Sequence, residues 1–264
     1  MNDNGSGYQL GSGEDELARL ELQGTALAPA TRMIFAAAGL RPGMRVLDLG
    51  CGAGDVAFAA AGLVGPEGHV VGVDRSPQAL ARARLRAGQR GLAQVRFAEA
   101  DVGDPAPGGP FDAIVARLLL MYLPDPAAVL RRQATVLRPG GLVIPVELDI
   151  PTARALPASP LVSQATTWIA RAFASAAIQP ALGTRLWALH REAGLRPLGM
   201  LGIQPHFGPD DPAAVALLAA ILRTAAPAFH TAARAAPSVG VARRSEQLEA
   251  VGMSFALLCR GRNQ

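Results

Sequence analysis

Glycines recur at every second position in the stretch VLDLGCGAGD, as Gly50, Gly52 and Gly54, with Asp48 just before them and Asp55 just after. Ordering that many glycines is entropically costly, so the backbone there needs a freedom that side chains would deny it. The residues before the turn, MRVLDL, favour a strand, and those from Asp55 to Leu63 have helical spacing. A strand-to-helix turn of this kind points backbone N–H groups at a ligand from a helix N-terminus. Two carboxylates in the same turn favour a ligand that carries positive charge. Asp74, Asp101 and Glu147 stand near the ends of later strand-like runs. Glu147, Tyr122, His206 and His230 are the side chains whose chemistry suits a general base.

The elements that must position these residues alternate. Strands are expected over HVVGVD, VRFAEAD, FDAIVA and LVIPVEL. Between them run helices, one opened by Ser76 and Pro77 and one opened by Asp125 and Pro126 and closed by Pro139 and Gly140. Strands that alternate with helices imply parallel pairing, with right-handed crossovers covering both faces of the sheet. Ahead of them, residues 14–24 and Thr31–Gly39 read as two helices. Beyond Leu148 the rhythm changes. Residues 160–177, 183–194 and 210–238 read as helical, RPLGMLGIQP as a strand, SEQLEAVG as a short helix and MSFALLCR as a final strand. The expected fold is α/β and Rossmann-like: a doubly wound, mostly parallel seven-stranded sheet with helices on both faces and a helical cap. Its parts are an N-terminal helical lid segment over 1–40, a binding core over 41–150, and, over 151–264, the rest of the sheet with the inserted cap.

In an open parallel sheet the ligand lies beyond the carboxyl ends of the strands, where strand order reverses. A dinucleotide turn of the form GxGxxG would place its third glycine at position 55, which is Asp55. The observed GxGxG, with its carboxylates, instead suits S-adenosylmethionine (SAM), whose amino group and sulfonium are cationic. Several ordered segments from Tyr8 to Leu148 resemble the class I SAM-dependent methyltransferases: DLGCGAGD, VVGVDRSP, EADVGD, FDAIVARLLLMYLPDP and LRPGG. The resemblance implies a methyl transfer that leaves S-adenosylhomocysteine (SAH). It places Asp48, Gly50, Cys51, Gly52 and Asp55 around the methionine portion, and Asp74, followed by Arg75, at the ribose. Asp101 and Val102 fall at the adenine, Ala116 and Arg117 near the methionine tail, and Tyr8 over the cofactor.

The acceptor is less legible. No Asn-Pro-Pro-aromatic segment follows the fourth strand, and no carboxylate pair suggests a metal. The apolar region after Leu148, with Trp168, Phe173, Trp187, Phe207 and Phe229, suits a small apolar or aromatic acceptor, or else a face toward a second subunit. Glu147 reads either as a base at the floor of that pocket or as the partner of a cap arginine. His190 reads as a helix-end residue favourable to the dipole, and His69 lies on the opposite rim. A non-methylating reaction such as a cyclisation, or SAM binding without turnover, is the rival reading. Of 264 residues, half are hydrophobic and 5% aromatic, the net charge is +4, and every basic residue is Arg. Arg82, Arg86 and Arg90 are read as a solvated stripe. With few aromatics to stack bases, nucleic acid is not an expected partner. Neither a membrane span nor a secretion signal is expected, and the two cysteines, Cys51 and Cys259, lack zinc spacing. These features lead to the expectation of a cytoplasmic protein without a metal.

Overall fold

The computed structural model describes residues 14–204, 206–207, 250–252 and 255–262. Five strands form the parallel part of the sheet: β1 (Arg45–Leu49), β2 (His69–Asp74), β3 (Val95–Glu99), β4 (Phe111–Arg117) and β5 (Leu137–Leu148). Two further strands, β7 (Arg196–Ile203) and β10 (Phe255–Arg262), continue it through antiparallel pairing, in the order β3-β2-β1-β4-β5-β10-β7. Chain order reverses between β1 and β4, so the crevice lies at their carboxyl ends.

Val46 of β1 faces one apolar layer, with Phe35, Val56, Ala60 and Ile144. Leu47 and Leu49 face the other, with Ile114, Leu130, Val143 and Leu186. Burial on both faces explains why these strands read as nearly continuous apolar runs. The covering helices are α1 (Glu14–Ala38), α2 (Asp55–Val64), α3 (Pro77–Gln89), α4 (Pro126–Gln133), α5 (Pro160–Ser175) and α6 (Leu186–Glu192). Ser76 caps α3 by accepting from the Ala79 N–H at 3.3 Å, and Asp125 caps α4 by accepting from Ala128 at 2.9 Å.

Four expectations change. The helix expected to close at Pro139 and Gly140 ends at Gln133, a 3₁₀ turn (Ala134–Val136) follows, and Pro139 and Gly140 already lie in β5. The two N-terminal helices are one 25-residue helix that runs through Gly24 and Pro29. Gly24 sits inside it because a Cβ there would overlap the carboxyl group of Asp55. Ala250–Gly252, expected to end a helix, forms strand β9 instead. It pairs antiparallel with β6 (Arg154–Leu156) and β8 (His206–Phe207) in a separate three-stranded sheet. His190 does lie in the last turn of α6, but it is fully buried, and burial lowers its pKa. Its Nδ1 lies 2.8 Å from the Leu186 carbonyl. A neutral ring replaces the cation that the helix dipole would favour. The helices expected over 210–238, with His230 and Phe229, lie outside the described residues, as does Tyr8. Among the described residues, no helix is long and apolar enough to cross a membrane.

Candidate functional site

Gly50, Gly52 and Gly54 have φ of +62°, +51° and +92°, a left-handed run that L side chains rarely adopt. The run carries the chain from β1 into α2, whose first turn begins at Asp55. Among the described residues a Cβ on Gly52 would meet only Leu20, at 3.8 Å, so the turn is open to them on that side. At Gly50 the space is already taken, since a Cβ would lie 2.7 Å from Leu119 Cδ1.

Three carboxylates converge here, and their partners differ. Asp74 Oδ2 accepts from the Gly52 N–H and Oδ1 from the Ser76 N–H, both at 2.9 Å, so the end of β2 braces the glycine turn. Asp55 gives both oxygens to Arg86, at 2.9 and 2.7 Å, and Arg86 also donates to the Ala53 carbonyl at 2.6 Å. The expectation of a solvated arginine stripe therefore fails at Arg86, which is 8% exposed. The charge of Asp55, expected to face a cationic ligand, is answered from within the protein. Arg86 and Arg90 also lie over the ring of Phe58.

Asp48 is the opposite case. It is 1% exposed, and among the described residues neither of its oxygens has a hydrogen-bond partner. Burial raises its pKa well above the usual carboxylate range; Arg117 and the nearby Ala57 N–H oppose that shift, and Asp74 and Asp55 add to it. Cys51, between these carboxylates, is a buried thiol whose pKa is raised far beyond its ordinary value, chiefly by burial, and it is inert at neutral pH.

The remaining predicted residues surround this turn. Ala116 is buried at the end of β4. Arg117 follows it and donates to Thr31 Oγ1 at 2.8 Å, tying α1 to the crevice. Asp101 is exposed, and its carboxylate accepts from the Gly103 N–H at 2.7 Å. Val102 is half-buried and Arg75 exposed. Tyr122 ends a 3₁₀ turn (Leu120–Tyr122) after β4. His206 lies on β8, in the small second sheet.

Sequence reasoning missed Gln133. It is fully buried at the end of α4, where its amide nitrogen donates to the carbonyls of Val102 (2.8 Å) and Asp104 (2.5 Å). Its amide oxygen accepts from the Ala106 N–H at 3.1 Å. One side chain thus sets the loop after β3, and nothing local in RRQAT announces it.

Glu147 is 0% exposed. Its Oε1 accepts from the N–H groups of Leu119 (3.0 Å) and Leu120 (2.7 Å), while Oε2 has no partner among the described residues. Among the described residues no arginine pairs with it, and the arginines expected in the cap over 210–238 lie outside the described residues. Burial pushes its carboxyl up to about 8, although the backbone donors pull the other way.

A parallel sheet with a glycine turn at its reversal point, and with acidic residues toward the ends of β1 and β2, defines an α/β domain with a candidate ligand crevice at the carboxyl ends of β1 and β4. The methyltransferase-domain family matches over residues 40–188, more than half of the chain, and the chain belongs to that family. Nocamycin O-methyltransferase of Saccharothrix syringae is 40% identical over 116 residues, 44% of this chain and 41% of the relative. A 2-phytyl-1,4-naphtoquinone methyltransferase of Synechococcus elongatus is 40% identical over 124 residues, 46% of this chain and 52% of the relative. The chain spans about half the length of these curated relatives. Among solved structures, a geranyl diphosphate methyltransferase in complex with SAM aligns with TM-score 0.56 and 18% identity, covering 97% of this chain and 94% of its own. The [4+2]-cyclase SpnF aligns with TM-score 0.59 and 21% identity, covering 90% and 81%. At these identities, both show the fold alone.

Proposed function

We propose that the protein is a SAM-dependent methyltransferase that acts on a small apolar or aromatic metabolite. One observation carries the cofactor reading. Asp48 is a buried carboxylate for which, among the described residues, no donor lies within hydrogen-bond distance, the Ala57 N–H being only near enough to lower its pKa. It stands beside a glycine turn whose other acidic residues are already partnered. An ammonium group from a ligand would satisfy it, and a pyrophosphate would not. The small-molecule acceptor rests on what relatives of 40% identity are named for, nocamycin and a naphthoquinone.

Each residue has a role in that reading. Asp48 and the turn from Gly50 to Gly54 take the methionine portion, with Ala116 and Arg117 beside its tail and Asp55 held behind it by Arg86. Asp74 accepts from the ribose hydroxyls, and Asp101 and Val102 border the adenine. When bound, SAM supplies an electrophilic methyl group on a sulfonium. The protein's work is then to align the acceptor and exclude water, with Tyr122 and His206 as the candidates for accepting a proton. Calorimetric titration tests the cofactor: saturable SAH binding with no NAD binding is expected, and tighter NAD binding would overturn the reading. Acceptors are tested by following SAH release from SAM over a panel of apolar phenols and carboxylic acids. A panel of polar amines that proves more active would overturn the acceptor class.

A further inference from the structure

We infer that Glu147 is a positioning residue: it holds the loop after β4 against the glycine turn, and so shapes the SAM site through the backbone rather than serving as a base. The inference rests on the SAM reading above. A base must meet a proton on its substrate, yet Glu147 is fully enclosed, and one of its oxygens is already spent on two amides. Those amides belong to the loop that enters the crevice.

That loop departs from ordinary geometry just where the carboxyl grips it. Leu118 has φ +54°, a costly value for a leucine, and its N–H is held by the Val146 carbonyl at 2.9 Å. The next residue, Leu119, lies where any side chain at position 50 would go. Leu120 and Met121 are buried in the core, and the Met121 carbonyl accepts from the Gln179 N–H at 2.9 Å. Glu147 thus sits at one end of a short chain of contacts: carboxyl, Leu119 amide, Leu119 side chain, Gly50. On the other side, a Cβ at Gly183 would lie 3.1–3.2 Å from the carbonyls of Leu148 and Glu147, so the end of β5 is packed from behind as well. Removing the acceptor would leave the buried Leu120 N–H and the half-buried Leu119 N–H unpaired beside a strained residue, and the loop would move to find water.

The test uses the full chain and three variants: Glu147→Gln, which keeps an oxygen acceptor; Glu147→Leu, which does not; and Leu119→Ala, which cuts the contact with Gly50. SAH affinity is measured by calorimetry, and amide hydrogen exchange is followed at Leu119 and Leu120. Glu147→Gln is expected to bind SAH within about threefold of wild type and to keep both amides protected. Glu147→Leu is expected to bind at least about tenfold more weakly, with both amides exposed to exchange. Leu119→Ala should weaken binding several-fold with the Leu120 amide still protected. Should Glu147→Leu fail to fold, the other two variants decide. A tenfold loss in Glu147→Gln, or wild-type affinity in either Glu147→Leu or Leu119→Ala, overturns the inference. Absence of SAH binding by the wild-type protein would instead defeat the SAM reading itself.

Discussion

The ends of β1 and β2 and the ends of β4 and β5 form opposite sides of one crevice, and both are built on buried carboxylates. On the β4–β5 side the carboxyl is already employed, because Glu147 accepts two amides and sets a loop. On the β1–β2 side Asp74 and Asp55 are likewise occupied, but Asp48 is not. A buried polar group without a partner costs stability, so a protein that retains one generally does so for a ligand or a reaction. The contrast separates carboxylates that hold the protein's own backbone or arginine through at least one oxygen, and so shape the crevice, from Asp48. Neither oxygen of Asp48 is partnered among the described residues, and the proposed reading assigns it to the ligand's ammonium group.

Breaking the scaffold half should have the largest effect. Asp55→Ala would strip the buried Arg86 guanidinium of its bidentate partner and leave it the Ala53 carbonyl and Glu21 at 3.9 Å, in a site where the two side chains are only 15% and 9% exposed. A loss of about 3–5 kcal/mol in unfolding free energy is expected from urea denaturation. A loss below about 1 kcal/mol would mean that the pair is solvated. Gly52→Val comes next. With φ at +51°, a branched side chain strains the turn by about 1–3 kcal/mol. The open side of the turn would also be filled, so SAH binding should fall beyond detection while circular dichroism still reports a folded chain. Retained affinity would show that the ligand approaches elsewhere.

Asp74→Ala ranks third. It removes the brace on Gly52 and an acceptor for hydroxyls together, so SAH affinity should drop by about 1.5–3 kcal/mol, read by calorimetry. An unchanged affinity would place the ribose away from β2. A fourth test is a change of slope with pH. Glu147 titrates at about 8 when folded against an ordinary 4.5, so its contribution to stability is complete below about 4.5 and is lost as pH rises through 8. The melting temperature should therefore fall across that window, and Glu147→Gln should flatten the decline. A parallel decline in both proteins would assign it to other groups.

Much of this fold was legible because its signals are local. The strand and helix spans of the core, the caps at Ser76 and Asp125 and the glycine turn each follow from a few neighbouring residues. The misreadings share one cause, which is a partner distant in sequence. Arg82, Arg86 and Arg90 have identical spacing on α3, yet Arg86 alone is drawn inward by Asp55, 31 residues away. Gly24 looks like a helix end until Asp55 is seen against it. Gln133 and Glu147 have the same character, for their partners lie on loops that other strands deliver. In Asp48 the type and position were readable, but its lack of a partner was not, because an absence of donors is a property of packing.

Proton release on ligand binding tests the central claim most directly. In the free protein, burial favours the protonated form of Asp48; an ammonium group placed beside it would favour the ionised form. SAH titrations at pH 7, in buffers of different ionisation enthalpy, should then show up to about one proton released per molecule bound. Asp48→Asn should abolish that release and weaken SAH binding by about a hundredfold, while its melting temperature holds or rises. Wild-type affinity with undiminished proton release in Asp48→Asn would contradict the account, because the ligand's charge would then be met by a different group.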